Sequence, residues 1–280
     1  GSDISRTMNE PTVGNPQGKY LRGQAAKAPV NIKNINAAAA AMTDYGIRAT
    51  AVKETFMSIT KAIGRNLNIP EEVLKRASLL TKTLTGFDPG KFAAGFDEAG
   101  MNLKDAFGAV NNTDSAMSEI LQTGREFGVV METYVGSAGD QLKLMNTYGF
   151  EDGVKGLSRM VARGQVLGLE MGKVTGLAEK FFDPEGAIDF AANMQVIGGA
   201  VGDLADPFKL MYMATNDLEG LQTAIQDTAA EAVHFDKEKG KFSISPDSRR
   251  QLKAMAEQMG MSYQELADTA IQSAKRAQVF

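Results

Sequence analysis

Apolar residues recur in steps of three and four from Ile35 onward: Ile35, Ala38, Met42, Tyr45, Ala49, Val52, Phe56, Ile59 and Ile63. That spacing holds one stripe on one side of a helix and predicts one long N-terminal helix with a seam of about four heptads. The alanine run from Ala37 to Ala41 favours it, and Gly46 is its one weak point. The seam fits packing against a neighbouring helix of the same domain, or an intermolecular coiled coil. Flanking charge pairs are mostly missing: Ala41, Thr55 and Ala62 lie on one side, Ala39, Gly46 and Thr60 on the other. That absence counts against a solvent-exposed dimer.

Later helices are marked by punctuation. A break at Gly64 to Asn68 precedes Pro70-Glu71-Glu72, which places Pro in a first helical turn beside acids that suit the positive helix end. Asp183-Pro184 and Asp206-Pro207 repeat the start signal, with Asp as N-cap and Pro behind it. A step of the form apolar-Gly-apolar recurs at Phe127-Gly128-Val129, Tyr148-Gly149-Phe150, Leu167-Gly168-Leu169 and Met259-Gly260-Met261. Each reads as a helix ending on a left-handed residue, with a Schellman-like apolar contact across the stop. The intervals are irregular, so the pattern is no solenoid of fixed period. Gly198, Gly199 and Gly202 lie in Ile197 to Gly202. No strand precedes them and their spacing is not that of a dinucleotide loop, so they read as a small-residue helix face allowing close approach. The alternative is a membrane-active face.

Only one stretch alternates with period two. Val233 and Phe235 face Phe242 and Ile244 across Asp236 to Gly240, which predicts a single β-hairpin near 233–245. Ser262 with Glu265 fits a capping box for a last helix. The fold class is therefore mainly α, a multi-helix array or bundle with one small hairpin. Residues 1–34 read as a flexible, mildly basic leader, 35–155 as the region of the long helix, and 156–280 as a Gly-punctuated helical region. Gly1-Ser2 reads as an expression remnant and the chain as a piece of something longer.

Composition narrows the chemistry. Trp is absent, Met numbers 15 and aromatics are 7%, a mix suited to helices packed by small, flexible side chains. There is no Cys, which excludes disulfides and thiolate metal sites, and His234 alone cannot furnish a zinc site or a Ser-His-Asp centre. The net charge of −4 argues against a nonspecific nucleic-acid binder. No run of about 18 apolar residues spans a membrane. No carboxylate pair, phosphate loop or calcium loop stands out, so no enzyme, cofactor or metal is expected.

The segment from Ser158 to Asp217, with its breaks at Gly168, Asp183-Pro184 and Asp206-Pro207, resembles the central segments of bacteriophage tail tape measure proteins. The likeness rests on the apolar-Gly-apolar steps at Gly168 and Gly260 and on FAANMQVIGGAVGDLADPFKLMYMATNDLEGLQ, and covers about residues 156 to 275. What it implies is a non-enzymatic virion component, assembled in the bacterial host cytoplasm, that sets tail length and leaves during genome ejection. Implied partners are the tail tube protein, tail assembly chaperones and further copies of the chain, with membrane contact only during ejection. The residue count of a continuous helix becomes length at about 1.5 Å per residue. The many breaks speak against one unbroken rod. A helical self-association module of another large protein is the competing expectation.

Overall fold

The computed structural model describes residues 16–65, 67–199 and 201–279. They form fourteen α-helices and one two-stranded sheet. The chain divides into two compact units, Gly1–Leu121 with Met131–Lys143, and Gln122–Val130 with Leu144–Phe280. This differs from an expected cut at 155/156, because the chain passes between units three times.

The first unit holds α1 (Pro16–Met42), α2 (Ala49–Ile63), α3 (Glu71–Thr83), α4 (Pro89–Glu98), α5 (Leu103–Phe107) and α7 (Met131–Gln141). The first half of α6 (Ala116–Phe127) belongs to it too. Of the expected leader 1–34, residues 1–15 lie outside the described residues, and from Pro16 the chain is helical. The two asparagines near its end are structural. Asn31 donates from Nδ2 to the Leu67 carbonyl (3.3 Å) and accepts from the Ile69 amide (3.0 Å), and Asn34 donates to the Ile69 carbonyl (2.8 Å). The backbone between α2 and α3 is thus paired by side-chain amides, which offsets the cost of burying it.

The expected continuous helix from Ile35 to Ile63 is two helices. α1 stops at Met42, a 3-10 turn covers Thr43–Tyr45, and Gly46 stands at φ 71°. The Ile47 amide donates to the Met42 carbonyl (3.1 Å) and the Gly46 amide to Thr43 (2.9 Å), the paired bonds of a Schellman stop. Lys82 closes it by donating from Nζ to the carbonyls of Tyr45 (2.8 Å) and Gly46 (3.2 Å). The glycine that propensity marks as a weak point is the helix end.

With the break in place, α2 packs on α4 and α1 on α3. A Cβ on Gly90 of α4 would lie 2.6 Å from the Ser58 carbonyl of α2, so the two backbones meet where only glycine fits. Phe87, Phe92, Phe96 and Phe107 form a chain of rings with centroids 5.0, 6.0 and 5.3 Å apart. Fully buried Tyr134 donates its hydroxyl to the Ile120 carbonyl at 2.6 Å, so its polar end has a partner.

The second unit holds the rest of α6, then α8 (Gly153–Leu167), α9 (Met171–Phe181), α10 (Pro184–Ile197), α11 (Pro207–Asn216) and α12 (Leu218–Ala230). β1 (Val233–Asp236), β2 (Lys241–Ile244), α13 (Pro246–Gln258) and α14 (Tyr263–Val279) complete it. α12 packs along α14, and α9 along α11. The hairpin pairs Val233 with Ile244 and Phe235 with Phe242, as the alternation predicts. The Phe235 and Phe242 rings lie 4.9 Å apart, and Asp236 Oδ1 accepts from the amides of Glu238 and Lys239 to shape the turn. No helix among the described residues is long and apolar enough to cross a membrane.

Replacing Gly46 by Ala should cost about 1–2 kcal/mol, from the left-handed backbone together with displacement of the Lys82 ammonium 2.8 Å from the new Cβ. Urea denaturation of G46A beside the parent measures it. Unchanged stability would mean that the break is not held at Gly46.

Candidate functional site

The expected seam residues lie mostly inside the first unit. Met42, Val52 and Ile59 are buried, Ile35, Phe56 and Ile63 are half-buried, and Tyr45 is 44% exposed at the break. The stripe that the spacing shows is thus consumed by α1 to α4.

The expected helix-break residues meet different fates. Gly128 (φ 67°) and Gly260 (φ 66°) are Schellman stops, with Val129 donating to Gly124 (3.2 Å) and Met261 to Ala256 (2.9 Å). Gly149 does not have a positive φ. A Cβ there would lie 2.4 Å from the Thr215 carbonyl, and its own carbonyl accepts from the Leu218 amide (3.0 Å), so close backbone approach is its role. Asp206 caps α11 as expected, Oδ1 accepting from Phe208 (3.0 Å) and Lys209 (3.4 Å), with Pro207 behind it. Asp183 does the same for α10. Pro70 sits one residue earlier than expected, at the N-cap of α3.

The expected small-residue helix face does not continue α10: Gly198 and Gly199 lie beyond its end, and Gly202 opens a separate 3-10 turn, Gly202–Ala205. α10 ends at Ile197, Gly198 and Gly199 follow at φ 76° and 81°, and Gly202 has φ 50°. A Cβ on Gly198 or Gly202 would meet nothing within 4 Å. Gly198 and Gly202 supply a backbone conformation, not close packing, whereas a Cβ on Gly199 would lie 3.2 Å from the Gln251 side chain.

Gly168 is the most constrained of the set. α8 ends on it at φ 82° and ψ −177°, a region open almost only to glycine, and Leu169 follows at φ 68°. Among the described residues Leu169 is the one non-glycine with positive φ. Two fully buried glutamines on α12 hold this turn. Gln222 donates from Nε2 to the carbonyls of Met160 (2.9 Å) and Leu169 (3.2 Å), and Gln226 donates to that of Gly168 (3.0 Å). From α14, buried Thr269 leaves no space: its Oγ1 would be 2.5 Å from a Cβ on Gly168. Gly168 and Met261, the residue after the Gly260 stop, line one small cleft of about 390 Å³, and Lys173 of α9, also on its wall, donates to the Gly260 carbonyl (3.3 Å). Glu170, Glu265 and Asp268 line it beside Lys173.

Sequence reading passed over Gln222 and Gln226, although their signal is visible. They stand four apart on the same stripe as Leu218, Leu221, Ile225 and Ala229, and polar residues inside an apolar stripe need buried partners.

A charged corner adjoins the start of α12. Arg159 donates from Nε to Glu219 Oε1 (2.6 Å), from Nη2 to Glu219 Oε2 (2.9 Å), and also from Nη2 to Asp152. The hydrogen bond to Glu219 above all raises its already high pKa. Asp217 caps α12, Oδ1 accepting from Gly220 (3.0 Å). Burial pushes its carboxyl up, the Gly220 amide opposes this, and Glu151, Glu219 and Asp152 push it further up. Elsewhere in this unit two guanidinium groups lie over the Phe127 ring, Arg276 at 4.1 Å and Arg163 at 5.5 Å from its centroid. Burial and Arg163 lower the Arg276 pKa.

Among the described residues no cluster of three or more His, Cys, Asp or Glu side chains could hold a metal ion. His234 lies exposed on β1. The arrangement around Gly168 fixes backbone geometry, and its hydrogen bonds run between amides and carbonyls. Comparison with protein-family models, curated proteins and solved structures finds no match to this chain.

G168A should lose at least about 2 kcal/mol, from backbone strain and the clash with Thr269, and T269A in the same chain should restore part of it. A denaturation double-mutant cycle tests the coupling. Strictly additive losses would remove Thr269 from the account. The raised Asp217 carboxyl binds its proton more readily folded than unfolded. Its contribution to stability is therefore full below the unfolded value of about 3.9 and is lost as pH rises through the folded value. Asn also caps helices, so D217N should keep the cap and flatten the pH dependence of stability just above pH 4. Superimposable pH curves for the two proteins would contradict the assignment.

Proposed function

We propose that this chain is a folded, non-enzymatic helical module of a bacteriophage tail tape measure-like protein, acting in tail assembly and genome ejection rather than as an extended ruler. The resemblance over about residues 156 to 275 supports the family, and the short capped helices support the folded form. One observation carries the second part. The turn at Gly168-Leu169 is held from two other helices by Gln222, Gln226 and Thr269, so the helices on either side are built to stay bent. A rod would forfeit those bonds. In this reading the module resides in the virion tail after assembly in the host cytoplasm. Its partners are tail tube subunits, assembly chaperones and other copies of the chain. Val196 (87% exposed) and Phe208 (77%) offer apolar contact points to such partners.

A self-association module of another large protein is the second reading, favoured by the same exposed side chains. It does not draw on the Ile35 to Ile63 stripe, whose Met42, Val52 and Ile59 are already packed.

Deleting residues 35 to 275 in frame from the parent virus separates folded from extended. An extended helical ruler shortens the tail by about 360 Å, the helical rise times the deletion. The folded module predicts tails of parental length by electron microscopy with infection impaired. Proportional shortening would overturn the folded reading, and a virion that never contains the protein would overturn the family.

A further inference from the structure

The first unit contains a second cleft, of about 480 Å³, at the break between α1 and α2. Its walls are the start of α2, the last turns of α3 and Pro89 of α4. From these residues we propose that it binds a small polyhydroxylated anion, of the sugar-phosphate type. The inference does not depend on a role in a phage tail.

Three features converge on that chemistry. The first is positive potential. Arg48 is the N-cap of the fifteen-residue α2, gives its carbonyl to the amides of Ala51 (3.0 Å) and Val52 (3.3 Å), and no side chain caps the helix. The positive end of the helix therefore faces the cleft, which suits an anion. Arg48 itself lines the cleft, is exposed, and makes no ion pair among the described residues. The Lys82 ammonium, anchored on the carbonyls of Tyr45 and Gly46, has one of its three N–H groups left to give.

The second feature is a buried hydroxyl. Ser78 of α3 lines the cleft, is only 3% exposed, and its Oγ has no hydrogen-bond partner. A buried polar atom left unpaired costs free energy, and a ligand hydroxyl or phosphate oxygen would remove that cost once the Ser78 side chain turns its Oγ, closed off as it stands, toward the cleft.

The third feature fixes the sense of the remaining bonds. Thr55 donates its hydroxyl proton to the Ala51 carbonyl (2.9 Å) and Thr81 donates to Ala77 (2.7 Å). With those protons spent, either oxygen can meet a ligand only as an acceptor. Glu54, also on the wall, is an acceptor as well. A bare anion uses the cations but not these acceptors. A molecule with an anionic group and neighbouring hydroxyls uses both.

The test is NMR titration of the full chain with glucose 6-phosphate and glycerol 3-phosphate, beside inorganic phosphate and glycerol alone. The expected result is saturable shifts confined to residues 46–58, 78–82 and 89 for the sugar phosphates, with weaker binding of phosphate and none of glycerol. S78A and R48Q, each confirmed folded by circular dichroism, should each weaken sugar-phosphate binding about tenfold. Equal affinity for inorganic phosphate would overturn the polyol part and leave an anion site. Binding untouched by S78A and R48Q, or no saturable shift with any of the four, would overturn the site.

Discussion

A helix that ends inside a packed unit leaves carbonyls that must find donors, and this protein meets that demand many times over. Its solution at Gly46, Gly128 and Gly260 begins locally: the chain turns left-handed and donates back to its own last turn, with a lysine from another helix added at Gly46 and Gly260. At Gly168 the solution is tertiary. The carbonyls of Gly168 and Leu169, just past the helix, are answered by two side chains from α12, one of which also bonds Met160 within α8, so the turn is tied to α12. Stopping a helix and packing the unit are one event at that turn.

The same dependence explains why glycine is not interchangeable between sites. At Gly198 and Gly202 there is open space and the requirement is conformational alone. Gly90 and Gly149 have ordinary backbone signs, and what they supply is the absence of a Cβ where another backbone passes. Gly168 answers both requirements together, and it is also where buried amides converge.

Much of the local structure was legible from residue types. Asp before Pro marks the starts of α10 and α11, and the alternation around Asp236 gives the hairpin register, because these signals act between residues a few positions apart. What depends on distant partners was not legible. The stripe from Ile35 to Ile63 keeps its period across the Gly46 stop, since a period reports which side faces a core and not whether the backbone is continuous. Gly198 to Gly202 reads as a close-packing face only if the helix is assumed to continue. The pairing of Asn31 with Leu67 and Ile69 spans more than thirty residues, and no local pattern announces it. The proposed cleft is legible in neither composition nor motif, because its hydroxyls come from two helices and its charge from a helix end.

The interleaving of the two units has its own consequence for how the protein is made. The first unit includes Met131–Lys143, yet Gln122–Val130, which precedes that stretch, belongs to the second. On a ribosome the first unit is therefore incomplete until residue 143 has emerged, since Tyr134 must reach the Ile120 carbonyl and Gly139 must seat against the Phe92 ring. When residue 143 emerges the Phe127 ring is already outside, while Arg163 and Arg276, the cations near it, have yet to emerge. Order of synthesis and order of completion differ, and the stretch between α6 and α7 is the part of the chain that has to wait.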